Sequence, residues 1–257
     1  MIVKDQGVVL RFFPFGNTSR VVIWLTMDHG KLATMVKGSQ REKSPFLGQY
    51  DLFYTCELLF YAREQRQLHL LKECTPLEWR PSLRTDWRAC AAASYAASVL
   101  NRVMPVGPAG PEWFHLLDGT LDALSTHTPG PAFLPRFELR LLKQLGLAPN
   151  WTTCGKCRRP LPASATSTTV FDVPAGQLLC TDCDHRSRAN DVAKRHLLSA
   201  TALRILQAID AASPLPPCIP AAAYREIRDI MGHCLEHHAD LASYARLPAL
   251  EILESPT

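Results

Sequence analysis

Four cysteines constrain this chain more than any other feature. Cys154-Gly-Lys-Cys157 is followed, after 22 residues, by Cys180-Thr-Asp-Cys183. Two CxxC pairs at this separation match a site in which each knuckle offers two thiolates to one tetrahedral zinc ion. The segment between them includes Pro160-Leu-Pro-Ala-Ser-Ala-Thr-Ser-Thr-Thr169, which is polar, turn-rich and too poor in apolar residues to fold without a staple. A redox CxxC accounts for one pair but not for two. With cysteine at all four positions no coordination site stays open, so one structural Zn2+ per chain is expected on Cys154, Cys157, Cys180 and Cys183. Cys56, Cys74, Cys90, Cys218 and Cys234 fall singly on apolar patterns and read as small core residues.

Such a site needs reduced thiols. The first ten residues, MIVKDQGVVL, carry charges at Lys4 and Asp5 and lack the apolar core of a signal peptide. No stretch reaches the ~18 apolar residues of a membrane span. A reducing cytoplasm is the expected compartment, where structural disulfides are rare.

Before the cysteines the chain changes period once. In the first 75 residues, VVLRFFPF, VVIWLT, KLATMV, YDLFYTCELLFYA and LHLLKEC are short runs rich in Val, Leu, Phe and Tyr, separated by turn signals that include Arg63–Arg66. Five short strands with short connections predict a small closed or half-closed barrel. Net charge is only +4, but Lys31, Lys37, Arg41 and Lys43 cluster within thirteen residues where Glu42 is the sole acid. A charge run of this kind fits a solvated loop. It equally fits a surface that concentrates a polyanion, and a basic barrel bearing aromatics suits a platform for single strands.

After Pro81 the spacing becomes helical. Leu83, Trp87, Ala91, Tyr95 and Val99 predict one helix ending near Pro105. Pro111 opens a second, with Trp113, Leu116, Leu117, Leu121 and Leu124 as its apolar stripe. A third runs from about Ala132 to Leu145, burying Phe133, Phe137, Leu141 and Leu145, with Gly146 as its C′ residue. Arg136, Arg140 and Lys143 line another face of that helix. Further helices are expected at 194–212 and 220–242, separated by Ser213-Pro-Leu-Pro-Pro217.

His233-Cys-Leu-Glu236-His237 spells the inverted zinc-protease signature. That chemistry needs another carboxylate ligand from a later element, and Glu251 and Glu254 read as an unpatterned tail. An exposed, histidine-rich terminal helix is the expectation. The sequence holds no GxGxxG, GxxxxGK[ST] or GxSxG, and no enzyme is expected.

GVVLRFFPFGNTSRVVIWLT followed by HGKLATMVKGSQREKSPFLGQYDLF resembles the N-terminal signature of the RecO family of bacterial recombination mediators. That signature is a glycine-turn hairpin, then HGK, then a KG and basic loop, then an aromatic strand. RFELRLLKQLGLAPN resembles the family's central helix leading into the cysteine knuckles. Asn17 stands where many relatives carry an acidic residue, and some relatives lack the knuckles.

The resemblance implies an α+β multidomain chain. An OB-fold DNA-binding domain would span 1–79 and a helical domain 80–257, with the zinc-binding module embedded at about 150–185. It implies a cytoplasmic, nucleoid-associated bacterial protein in DNA repair. That protein would bind single- and double-stranded DNA, anneal strands, and work with RecR and single-strand-binding protein to load RecA. On this reading Lys37, Arg41 and Lys43 grip phosphates, with Arg11, Arg20 and Lys31 as further candidates. Arg136, Arg140 and Lys143 would receive the acidic tail of single-strand-binding protein. The competing expectation is a zinc-ribbon interaction scaffold for transcription or translation that binds no DNA.

Overall fold

A computed structural model of the chain describes residues 1–62, 67–104, 106–161, 169–187, 195–215 and 218–254. The expected turn at Arg63–Arg66, Pro105, residues 162–168 between the cysteine pairs and Pro216–Pro217 lie outside the described residues. The chain forms two compact units, Met1–Pro129 and Gly130–Thr257.

The first unit begins with five strands: β1 (Ile2–Phe15), β2 (Ser19–Thr26), β3 (Gly30–Val36), β4 (Thr55–Tyr61) and β5 (Leu68–Glu78). They close into a barrel of order β1-β2-β3-β5-β4, antiparallel throughout except where β3 meets β5. This is the small closed barrel that the spacing of the apolar runs predicted, with the five strands that the resemblance to an OB-fold implied. Closure depends on the length of β1. Its first half pairs with β4 over Ile2–Val8 and its second half with β2 over Gly7–Phe15, with a bulge between Val9 and Arg11. Gly7 occupies the overlap, where a Cβ would lie 2.9 Å from Leu58 and 3.1 Å from Thr26. Val9, Val22, Trp24, Leu32, Leu58 and Phe60 fill the interior. The Trp24 indole N–H donates to Thr34 Oγ1 at 2.8 Å, so the core's largest side chain leaves no buried donor unmatched.

Where one helix was expected after Pro81 there are two, α1 (Ser82–Thr85) and α2 (Trp87–Val103). Asp86 makes the break. Its backbone is extended and its carboxylate accepts from the amides of Arg88 and Ala89, which starts α2 afresh. Helix α3 (Pro111–Thr126) follows, but its buried stripe is Phe114, Leu117, Thr120, Leu121 and Leu124, rotated from the expected one so that Trp113 is only half-buried. Arg80 ties these helices to the barrel. Buried to 4% exposure, it donates to the Phe53 carbonyl, to Thr55 Oγ1, and to Asp118 and Asp122 on α3. The barrel strands end at Glu78, while the compact unit runs on through α3.

Among the described residues, the second unit holds α4 (Phe133–Gln144), a three-stranded antiparallel sheet and four more α-helices. The sheet has order β7-β6-β8, from β6 (Thr169–Asp172), β7 (Gln177–Leu179) and β8 (Arg195–Leu198). The helices are α5 (Thr181–Ser187), α6 (Ala200–Asp210), α7 (Ala221–His238) and α8 (Leu247–Glu254). Helix α4 keeps its expected bounds, and Gly146 follows it at φ +72°. It buries Leu134, Phe137, Leu139, Leu141 and Leu142, leaving Phe133 and Leu145 half-covered. The helix expected from residue 194 is shorter. Arg195–Leu198 adds an edge strand to the sheet, and Ser199 then caps α6 by accepting from the Ala202 amide. Glu251 and Glu254 lie on α8, not in an unpatterned tail.

Candidate nucleic-acid surface and metal centre

The basic loop joins β3 to the buried Tyr50. Gly38 and Gly48, at φ +68° and +74°, turn the backbone at its two ends. Its amides are tied down: Gly38 N donates to Ser19 Oγ at 3.2 Å and Gln40 N to the Thr18 carbonyl at 2.9 Å, both at the β1–β2 turn. At the far end the Cys56 and Cys74 thiols share the Gln49 carbonyl, each at 3.5 Å. Tyr50 then packs edge-on against Phe12 and Trp24. On this anchored frame Lys37, Arg41 and Lys43 are all exposed, and none meets a carboxylate among the described residues.

The other three candidate cations occupy different settings. Arg20 lies over the Phe12 ring at 4.8 Å and pairs across the sheet with Val36, beside the basic loop. Arg11 lies over the exposed Phe13 ring at 5.2 Å on the outer face. Lys31 is buried to 9% exposure, and its ammonium donates to the Asn101 carbonyl in the last turn of α2 at 2.6 Å. Burial and then the Arg11 guanidinium hold Lys31 below the usual lysine range.

The HGK turn now has a physical reading. His29 Nδ1 meets the buried Asp5 carboxylate at 2.6 Å, and Asp5 also accepts from the Gln6 and Asp28 amides. Gly30, at φ +64°, has no room for a Cβ, which would lie 2.3 Å from the Gly107 carbonyl. Neither the Asp5–His29 pair nor the Arg80 network was visible in the sequence. Their members lie 24 to 42 residues apart and carry no local pattern.

Arg136 and Arg140 project from α4 exposed and without an acidic partner among the described residues. Lys143 differs, because it pairs with Asp210 on α6 at 2.8 Å and donates to the Asp210 carbonyl. The three cations therefore form two settings rather than one stripe.

The cysteines converge. Cys154 and Cys157 sit on a tight turn in which Arg158 adopts φ +63° and its amide donates back to the Cys154 carbonyl. Gly155 N donates to the Leu178 carbonyl on β7, which docks this turn against the sheet. Cys180 directly follows β7 and Cys183 lies on the first turn of α5. All four sulfurs lie within 4.8 Å of one another, with Cys157 and Cys180 at 3.7 Å. A tetrahedral ion with metal–sulfur bonds of about 2.3 Å sets its ligands roughly 3.8 Å apart, so this donor set fits a metal ion. Burial raises the Cys154 thiol, but amides of Cys157, Cys180 and Lys156 outweigh it and bring it down to about 6. Burial and the neighbouring sulfurs push Cys183 up to about 12.

His233 and His237 lie on α7, which is neither terminal nor exposed throughout: Ile230, Met231, Cys234 and Leu235 are buried. Instead of an acid, His196 from β8 covers His233, with ring centres 4.2 Å apart.

Comparison with known proteins agrees with this geometry. Residues 1–80 match the family profile "Recombination protein O N terminal", and residues 84–246 match "Recombination protein O C terminal". A DNA repair protein RecO from Anaeromyxobacter sp. (strain K) is 32% identical over 240 residues, covering 92% of this chain and 91% of that protein. The RecO of Myxococcus xanthus (strain DK1622) is 30% identical over 235 residues, 91% of each chain. That of Moorella thermoacetica is 31% identical over 187 residues, 72% of this chain and 68% of the relative.

Proposed function

The chain belongs to the recombination protein O family, and on that premise we propose that it is a non-enzymatic mediator that binds DNA through the barrel. Membership carries a role in DNA repair and recombination. The finer reading is that the protein binds single- and double-stranded DNA and anneals complementary strands. With RecR it then loads RecA onto DNA coated by single-strand-binding protein, in the bacterial cytoplasm at the nucleoid.

One observation carries this reading. Lys37, Arg41 and Lys43 are exposed on a hydrogen-bonded loop, and none of them meets a carboxylate among the described residues. Unpaired cations on a fixed frame offer a polyanion three contacts whose backbone is already ordered, leaving only side-chain rotamers to be fixed. Phosphate contacts position a strand without reading its bases, so binding should be nearly blind to sequence. Arg20, beside the same loop, extends the surface, and Arg11 and Lys31 belong to its outer-face end.

The four cysteines are read as holding one Zn2+. With four thiolates the ion has no open position, so its work is to hold the two knuckles and the β6–β8 sheet together. The Arg136 and Arg140 side of α4, with the half-buried Phe133 ring at the start of the same helix, suits the acidic tail of single-strand-binding protein.

A salt titration tests the DNA reading. Each phosphate contact to a single strand contributes about 0.7 to the slope of log affinity against log salt. Replacing Lys37, Arg41 and Lys43 together by alanine should therefore flatten that slope by roughly two units and weaken binding to every sequence alike. A triple variant that stays folded and keeps the parent's slope would reduce the loop to a solvated turn. A parent protein with no salt-dependent DNA affinity would favour a protein-binding scaffold.

A further inference from the structure

Away from the basic loop, the outer face of the barrel carries a pocket of about 280 Å³ between β1, β2, β3 and the segment after α2. Arg11, Phe13, Ile23, Lys31, Gln67 and Val106 line it, with Leu32, Ala33 and Asn101. One wall exists because Gly107 bridges to Lys31, its amide donating to the Lys31 carbonyl at 3.0 Å, which lays residues 106–107 along the start of β3.

Three features define what the pocket can take. It converges two cations and no carboxylate among its described lining residues, and Lys31 is nine-tenths buried there. Burial and the Arg11 charge both disfavour the charged form of Lys31, a cost that an anion between the two would relieve. The floor is apolar (Ile23, Ala33), and the Phe13 ring stands at the rim, 37% exposed. Finally, the volume falls at the small end of ligand pockets, enough for a single planar group and not for an extended ligand. Gln67 and Asn101 add polar atoms able to meet the edge of a base.

We infer that this pocket holds one unstacked nucleotide of a bound single strand, with its phosphate between Arg11 and Lys31 and its base on Phe13. The assignment rests on the DNA-binding reading above and adds to it a second contact point. Lys31 begins β3 at its second residue and Lys37 follows its last, so pocket and loop stand at opposite ends of one strand, roughly 20 Å apart at about 3.3 Å per residue. That separation suits a continuous strand drawn across the barrel, within the ~4–16 nucleotides that one such barrel engages.

The test uses the full chain and a fluorescently labelled oligothymidylate, with affinity followed across a salt series. Phe13→Leu keeps an apolar side chain but removes the ring. It should weaken binding at least fivefold and leave the salt slope unchanged, whereas Phe13→Tyr should bind as the parent does. Arg11→Ala should lower the slope by about 0.7, the value for one phosphate contact. Phe13→Leu added to the triple alanine loop variant should still weaken binding, because the pocket acts apart from the loop. A parent that binds the oligonucleotide while Phe13→Leu and Arg11→Ala bind equally well would overturn the pocket and leave the DNA reading standing. A parent that does not bind at all would overturn both. Displacement of the bound strand's pocket contact by an acidic peptide, with Arg11→Ala reducing peptide affinity and not DNA affinity, would assign the pocket to a protein and also overturn the proposal.

Discussion

Glu138 on α4 and Arg246, 108 residues later, meet in a two-pronged buried ion pair, with Nε to Oε1 at 2.7 Å and the second prong at 2.8 Å. Glu138 is fully buried and Arg246 is 6% exposed. The remaining guanidinium nitrogen donates to the Arg228 carbonyl on α7 at 3.0 Å. Gly232 on α7 leaves the room for it, since a Cβ there would lie 2.5 Å from that nitrogen. One side chain thus fastens the first helix of the second unit to the segment before its last helix.

Removing one partner leaves an uncompensated charge in the core. Glu138→Ala should destabilise the second unit by about 3–5 kcal/mol, while the pair Glu138→Leu with Arg246→Met should recover most of the loss. Hydrogen exchange at the amides of α4 and α7 reports the unfolding of this unit apart from the barrel. A single variant that melts with the parent would show that water reaches the abandoned charge.

The sequence made local patterns legible and distant partnerships illegible. The five barrel strands announced themselves because Val, Leu and Phe runs alternate with glycine turns, and the CxxC pairs because ligand spacing is itself a signal. Gly146 was readable as a helix stop for the same reason. By contrast, the Trp87 stripe runs straight through Asp86, so the restart of α2 is a capping event that periodicity cannot show. Leu197 and Leu198 read equally as the start of a helix or as an edge strand, and the partner strand β6 decides. Lys31 looked like one more surface cation. Its burial on Asn101 comes from a helix seventy residues away.

Gly30 and Gly48 separate two costs of a side chain. Both have positive φ, +64° and +74°, a conformation that costs an alanine about 1–2 kcal/mol. At Gly48 nothing lies within 4 Å of an added Cβ, so Gly48→Ala should lose only that amount. At Gly30 the Cβ would also meet the Gly107 carbonyl and Ala109, so Gly30→Ala should lose clearly more, as read from thermal melts of the barrel. Equal losses would mean that residues 107–109 move aside freely.

His233 gives the second unit an acid-sensitive contact. Burial first, and then the neighbouring His196 and His237, hold its imidazole below the ordinary range, with Asp229 and Glu236 opposing. The folded state therefore binds fewer protons than the unfolded chain, whose histidine titrates near 6.5. Stability is complete above about pH 6.5 and falls as pH drops from there toward the lowered folded value. His233→Gln should lose less melting temperature than the parent between pH 7.5 and 5.5, followed by circular dichroism. Identical losses would place the acid sensitivity elsewhere.

The two settings on α4 predict unequal effects. Arg136→Ala with Arg140→Ala should weaken binding of an acidic, phenylalanine-ended tail peptide at least tenfold in calorimetry. Lys143→Ala should weaken it less, because that ammonium already pairs with Asp210. A dominant Lys143 effect would mean that the peptide displaces Asp210, and unchanged affinity in every variant would locate the tail site elsewhere.

The last prediction concerns the metal. Purified, reduced protein should contain one zinc per chain, and Cys154→Ser should abolish it. Only thiolates bind the ion, so protons compete with it and affinity must fall as pH falls. Cys154, brought to about 6 by three amide donors, meets that demand more easily than Cys183, which is pushed up to about 12 and needs the metal charge itself. The two knuckles reach each other through few bonds besides the metal: the Cys180 amide on Cys154 Sγ at 3.4 Å, Gly155 N on Leu178, and the exposed Arg159–Asp182 pair. A zinc chelator at pH 7 should therefore unfold the 150–187 segment first. Hydrogen exchange should rise there and at β6–β8, while the amides of β1–β5 keep their protection. The barrel's independence follows from its closure, since each of its strands is paired on both sides within the first unit. Loss of zinc that left exchange in 150–187 unchanged would show that the sheet and α5 hold the knuckles unaided.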